Sequence, residues 1–223
     1  MAQLEFVPMD IETTGLEVTD EVTVVGFALP LGCRVFVQAP GQPEADELQA
    51  TVQDRVETHV NLSRHDSETA LLRAVGEFVA KRLHGDDVLL VAYNGERWKD
   101  GFDLPFLRTR LASTNVEWPF RDLPYADLLP VVTRRFNLVV NGESQASLSA
   151  AYGTLVGGGL NAVDPFSDSE TAVTAFENGE LDDLVVHNVA DILRTAELGA
   201  LTERYCSKSD YQLKSLTPTI HDT

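Results

Sequence analysis

The sequence predicts an α/β fold, a mixed sheet with helices on both faces, and three observations carry that reading. An apolar opening stretch, residues 6–12, is followed by two β-branched runs, 22–29 (V-T-V-V-G-F-A-L) and 34–37 (R-V-F-V). Pro30-Leu31-Gly32 supplies turn chemistry between those runs, so the three strands form an antiparallel meander. Residues 88–93 (V-L-L-V-A-Y) form the continuous apolar run expected of a central strand buried on both faces. Segments with helical apolar periodicity fill the remaining intervals.

Taken in order, the opening strand alternates its side chains, putting Phe6, Asp10 and Glu12 on one face and Val7, Met9 and Ile11 on the other. Pro8 cannot donate to a ladder, so a bulge or a gap in pairing is expected there. A first helix is expected from Glu44 to about Val60, after the break at 40–43, because Leu48, Val52 and Val56 recur at helical spacing. Ser67 and Glu68 open a stronger helix with an apolar stripe through Leu71, Val75 and Val79, ended by Gly85, Asp86 and Asp87. After the central strand, a helix is expected over about 102–112, a short strand over 116–118 and a helix over 128–136 capped by Asp127. A polar, Gly-rich stretch at 141–147, a helix at 148–155 and a flexible connection at Gly157-Gly158-Gly159 follow. Helices at 169–176 and 181–205 close the fold, with a polar tail from about residue 206.

Length and composition bound the chemistry. With 223 residues and 43% hydrophobic content the chain can build a full core, and the expected organisation is one domain spanning 1–223. The formal net charge is −18, from 35 acidic against 17 basic residues, with lysine only at 81, 99, 208 and 214. An acidic, Lys-poor surface spread over the whole chain fits adaptation to very high salt. Phosphate contacts are made by Lys and Arg, so nucleic-acid binding would require divalent ions or a local Arg cluster to offset the charge. Arg108, Arg110, Arg134 and Arg135 are candidates for that cluster or plain surface residues. Cys33 and Cys206 form no C-x-x-C pair, which excludes a disulfide framework or zinc site and fits a reducing compartment. No leader-like segment or membrane-length apolar run is read, and a cytoplasmic protein without a membrane partner is expected. Ser147 and Ser149 lack the G-x-S-x-G context of a serine hydrolase.

Three acidic elements stand out. On a strand, Asp10 and Glu12 would have Cα atoms roughly 6.5–7 Å apart, close enough to share one cation. Asp103 starts a helix just beyond the central strand, where an isolated Asp reads as an N-cap. His187 and Asp191 lie one turn apart on a helix with little polar surface, and need partners, either each other, the backbone or a metal.

Residues 6–16 (F-V-P-M-D-I-E-T-T-G-L), Tyr93-Asn94 with 102–107 (F-D-L-P-F-L), and His187-x-x-x-Asp191 together resemble the three motifs of the DEDD superfamily of 3′-5′ exonucleases, a group that includes the proofreading domains of DNA polymerases. The resemblance covers most of the chain and implies a ribonuclease-H-like fold. It implies that Asp10, Glu12, Asp103 and Asp191 hold two divalent cations, Mg²⁺ or Mn²⁺, and that His187 stands at the general-base position. Thr13, Thr14, Leu16, Asn94 and Phe102 would then contact the terminal nucleotide of single-stranded DNA or RNA, in a replication or repair setting. Leu16 reads either as a wedge against the base or as ordinary core. A ribonuclease-H-like endonuclease and a catalytically silent binding domain are the alternatives. Two spacings depart from the superfamily pattern. The loop between Asn94 and Asp103, with Arg97, Trp98 and Lys99, is longer than usual and reads as a substrate contact or a plain exposed loop. His187 stands at the four-residue separation from Asp191 that the superfamily uses for Tyr.

Overall fold

The computed structural model describes residues 5–41, 45–83, 87–97, 102–166 and 169–220. The meander is β1 (Glu5–Thr13), β2 (Val22–Leu29) and β3 (Gly32–Gln38). Helix α1 (Ala45–Val56) leads to β4 (Val60–His65), α2 (Glu68–Arg82) and β5 (Val88–Ala92). Next come α3 (Asp103–Thr114), β6 (Pro124–Asp127), α4 (Leu128–Arg135) and a small hairpin of β7 (Val139–Val140) and β8 (Glu143–Ser144). Helices α5 (Leu148–Leu155), α6 (Gly159–Val163), α7 (Ser169–Asn178) and α8 (Leu181–Tyr205) follow. A 3₁₀ turn (Lys208–Tyr211) and β9 (Lys214–Ser215) complete the described chain.

Seven strands make one mixed sheet in the order β4-β3-β2-β1-β5-β6-β9. β1, β2 and β3 pair antiparallel, whereas β5 runs parallel to β1 and β6 parallel to β5, the ribonuclease-H-like arrangement that the sequence predicts. Both faces are covered. Leu71 and Val75 of α2 and Leu104 and Leu107 of α3 share one core with Val7, Met9 and Ile11 of β1. Val52 of α1 and Val185, Val189 and Ile192 of α8 share a second core with Val24 and Val35. The opposite face of β1, carrying Asp10 and Glu12, therefore looks towards α8.

Pro8 is accommodated at a changeover. Residues Glu5 to Pro8 pair with β5, and pairing with β2 begins at Met9, so the residue without an N–H ends one ladder and precedes the other. The one irregularity between β1 and β2 lies instead between Glu12 and Thr13.

Several expectations are corrected. Residues 116–118 are not a strand; Trp118 is held in coil by an Nε1–H bond to the Leu216 carbonyl at 2.9 Å, and the strand beside β5 is Pro124–Asp127. The first helix stops at Val56, and residues 60–65 form an edge strand, parallel to β3, with only Val60 and Leu62 as apolar signals. Asn141-Gly142, inside the stretch read as irregular, turns the β7–β8 hairpin with φ values of 54° and 86°, a pairing that Asn-Gly adopts readily. Gly159 begins α6 rather than a flexible connection, and the tail is tied down by Tyr211 and Leu216, both buried. Asp127 does cap its helix, accepting from Leu129 N at 3.0 Å. The helix end expected at Gly85 and Asp86, and His84, His221, Trp98, Lys99, Pro43 and Glu44, lie outside the described residues.

A buried brace fixes the loop after β1. Glu68 binds Arg110 through both oxygens at 2.8 Å and accepts from Val22 N at 2.9 Å, while Arg110 donates to the Val18 carbonyl at 2.8 Å. Arg110 is thus committed to the fold and does not line a groove. Arg108 stacks over Trp118 and Arg135 pairs with Asp210, which leaves Arg134 as the member of that set without such a contact among the described residues. Glu68→Ala leaves the Arg110 charge and the Val22 N–H unpaired, and is expected to cost about 3–5 kcal/mol in chemical denaturation. Glu68→Gln, which keeps an acceptor for one of them, is expected to cost less.

Candidate functional site

The site lies at the end of the sheet where the parallel strands β1, β5 and β6 finish. Parallel pairing sets Pro8 opposite Val91 and Ala92 opposite Asp127, so Asp10, Glu12 and Asp127 and the chain leaving β5 reach the same edge.

Asp103 arrives there despite the long loop. Phe102 N donates to the Asn94 carbonyl at 3.1 Å and Leu104 N to the Gly95 carbonyl at 2.9 Å, closing the loop at its base. These two bonds hold the start of α3, and with it Asp103, against the chain leaving β5. Gly95 lies so close that an added Cβ would stand 2.6 Å from Asp103 Oδ2 and 2.7 Å from Ala92 Cβ. Phe102 occupies the N-cap position, so Asp103 is the first residue of α3 and not its cap. Asp127 reinforces this corner by accepting from Asn94 N at 2.9 Å and Glu96 N at 3.2 Å.

Helix α8 supplies the remaining groups. His187, Asp191 and Arg194 fall at i, i+4 and i+7, one face of the helix, and Asn188 beside them is fully buried. Asn188 Nδ2 donates to Asp10 Oδ2 at 2.9 Å. Its entry depends on Gly26, paired with Asp10 on β2, where a Cβ would stand 2.1 Å from Asn188 Oδ1. Asn188 Oδ1 itself has no hydrogen-bond partner among the described residues.

Asp10, Glu12, Asp103 and Asp191 lie near enough for their charges to act on one another. Burial pushes the Asp10 carboxyl well above its usual range, and the charges of Asp103, Glu12 and Asp191 push it further. Burial lifts Glu12 to about 8 against the attraction of His187, with Asp191 adding to the rise. Asp103 is raised well above the carboxylate range by burial and then by Asp127, Glu12 and Asp191. Asp191 is raised by burial, partly offset by His187 and Arg194.

His187 Nε2 stands 3.9 Å from both Glu12 Oε1 and Asp191 Oδ2. Its Nδ1 meets Asp164 Oδ1 at 2.8 Å. Burial pulls the imidazole down, but the Asp164 bond and the charges of Glu12 and Asp191 outweigh it and hold the pKa at about 9. Burial acts to raise Asp164, yet the bond from His187 and its further partners leave that carboxyl below its usual value. Arg194 pairs with Asp164 at 2.7 Å and also with Asp191. Asp164, His187 and Asp191 each offer a ligand atom within 4.8 Å of the others, a group able to hold a metal ion.

The residues expected to meet a nucleotide are more scattered. Thr13 is buried and its hydroxyl donates to the Gly15 carbonyl at 2.8 Å; Thr14 Oγ1 accepts from Glu21 N at 2.9 Å, so both shape the loop. Leu16 is 66% exposed, which removes ordinary core packing as its explanation. Asn94 is exposed with φ of 64°, and the Phe102 ring packs on Phe106 at 4.8 Å.

Asp164, Asn188 and Arg194 were not among the residues singled out from the sequence. Asn188 and Arg194 had a signal, being polar residues inside an otherwise apolar helix. Asp164, in a short segment between helices, had none. Among the described residues, no helix is long and apolar enough to cross a membrane. No protein-family model matches the chain, and no curated protein matches it either.

Proposed function

We propose that the chain is a metal-dependent 3′-5′ exonuclease that hydrolyses phosphodiester bonds at the ends of single-stranded DNA or RNA, as its likeness to the DEDD superfamily implies. The observation that carries this reading is the convergence of four acids from β1, α3 and α8, Glu12 and Asp103 buried and Asp10 and Asp191 half-buried, whose carboxyl groups are all raised by desolvation.

The donor set fits divalent cations. It consists of hard carboxylate oxygens, with Glu12 and Asp103 each less than a tenth exposed, and among the described residues the cations acting on Asp191 are His187 and Arg194. Asp10, Glu12, Asp103 and Asp191 would hold the two ions, Mg²⁺ or Mn²⁺. Bound there, the cations supply counter-charge to the leaving 3′ oxygen and lower the pKa of the attacking water.

The chain's own residues do the rest. Asn188 fixes one oxygen of Asp10 and Arg194 one oxygen of Asp191, so each carboxylate keeps its other oxygen free for the site. His187 Nε2 takes the proton from the attacking water as the oxygen–phosphorus bond forms and the bond to the 3′ oxygen breaks. It accepts that proton only as neutral imidazole, the form that burial favours and that unbalanced Glu12 and Asp191 charges oppose. Leu16 lies beside the end of β1, exposed as a wedge against the terminal base requires.

The net charge of −18 supports an enzyme working at high salt; a cytoplasmic setting with replication or repair proteins as partners belongs to the same proposal. The test is digestion of a 5′-labelled oligonucleotide at high salt with Mg²⁺ or Mn²⁺. A ladder shortened one nucleotide at a time is expected. Internal cuts would replace the reading with an endonuclease, and retention of the strand without cleavage would replace it with a binding domain.

A further inference from the structure

Asp164 stands outside the four acids, on the segment that follows α6, and its side chain is only 4% exposed. Both of its oxygens are engaged. Oδ1 accepts from His187 Nδ1 at 2.8 Å and from Phe166 N at 3.0 Å, and Oδ2 accepts from Arg194 at 2.7 Å. A cation on Asp164 would compete with these three bonds, whereas Asp191 Oδ2 and Glu12 Oε1 stand 3.9 Å from His187 Nε2.

The same segment makes further contacts with α8. Arg194 Nη2 donates to the Leu160 carbonyl at 3.1 Å, and the Phe166 ring lies 5.3 Å from the imidazole at an angle of 57°. Residues 160–166 thus provide an anchor for one ring nitrogen and a wall for the ring, and they bind the buried Arg194 of α8 that balances the anchor.

We propose that Asp164 is a positioning residue that fixes the tautomer and orientation of His187, with Arg194 as its counter-charge, and that it is not itself a metal ligand. The role rests on the nuclease reading. An Nδ1–H donated to Asp164 leaves Nε2 with its lone pair, and Nε2 is the ring atom turned towards Glu12 and Asp191. It also accounts for a His at a separation usual for Tyr. The orientation of the ring is set from outside α8, by a carboxylate far away in sequence, and does not depend on helix spacing alone.

The test uses the full chain with Asp164→Ala and Asp164→Asn, the latter keeping one acceptor for the imidazole. In Asp164→Ala, kcat is expected to fall roughly 10–100-fold, the usual effect of losing an outer partner, while KM stays within about twofold. Asp164→Asn should recover a large part of that loss. Mn²⁺ affinity, measured by calorimetry, should be essentially unchanged in both variants. Adding Asp164→Ala to His187→Ala should cause no further loss, because the two act as one unit. By NMR, the His187 Nδ1 proton should be downfield and slow to exchange in the wild type, and lost from that position in Asp164→Ala.

Loss of Mn²⁺ affinity by more than about tenfold in Asp164→Asn would make Asp164 a ligand and overturn the proposal. So would an unmoved His187 signal in a folded Asp164→Ala. A wild-type protein without nuclease activity overturns the reading of the site instead, a result distinct from either.

Discussion

Asp10→Asn is expected to abolish hydrolysis while making the cation-free protein more stable. The activity loss should be on the order of 10³-fold or more, since one of the four proposed ligands is removed and even residues that only support a ligand cost about 10–100-fold. The gain in stability follows from the same geometry. Asp10 is pushed up by burial and by three neighbouring acids, so its charged form is unfavourable in the fold. An amide removes that charge and can still present an oxygen to Asn188 Nδ2. A gain of about 1–3 kcal/mol is expected, the scale on which replacing unfavourable buried charge stabilises. Denaturant titration in chelator checks it, with Asp103→Asn as a second case, because Asp103 is raised for the same reason. Loss of stability in both variants would mean that the four acids are bound to one another by shared protons and are not held apart for cations.

The second large effect is on thermal stability as pH and cations change together. Glu12 is raised from its ordinary value of 4.5 to about 8, and His187 from 6.5 to about 9. A group raised in the fold stabilises it fully below its ordinary pKa and loses that contribution as pH rises through the folded value. The cation-free protein should therefore lose stability between about pH 4.5 and 9, with Glu12 covering the lower part of the window and His187 the upper. Asp164, lowered in the fold, contributes a constant stabilisation above its ordinary value of 3.8, lost only below it, and does not alter this trend. Divalent ions must displace the protons that the acids retain, so their effect should grow with pH. At a hundredfold excess over Kd the gain is about 2.7 kcal/mol, or roughly 5–10 °C for a chain of this size. A calorimetric scan at constant ionic strength should show that shift near pH 8.5 and much less of it near pH 5.5. An equal shift at both values would place the cations away from these acids.

Much of the fold was legible because its elements announce themselves through periodicity. β2 and α8 begin and end where the sequence predicts, the one from a β-branched run and the other from a long apolar stripe. The strands that went unread are edge or short ones. β4 and β6 have few apolar positions of their own, and β6 is recognisable chiefly by the neighbour it pairs with. The four acids and His187 were visible because they sit in local motifs at strand ends and helix turns. Their supports were not. Asp164 acts on a residue 23 positions away, and Gly26 matters only because Asn188 approaches it from another layer, relations that no local pattern encodes.

The most direct measurement is anomalous diffraction from crystals grown with Mn²⁺ at pH 8 or above. The account predicts two peaks bounded by Asp10, Glu12, Asp103 and Asp191, with the bond between Asp164 and His187 retained. Peaks confined to Asp164, or no Mn²⁺ among the four acids at saturating concentration, would contradict it.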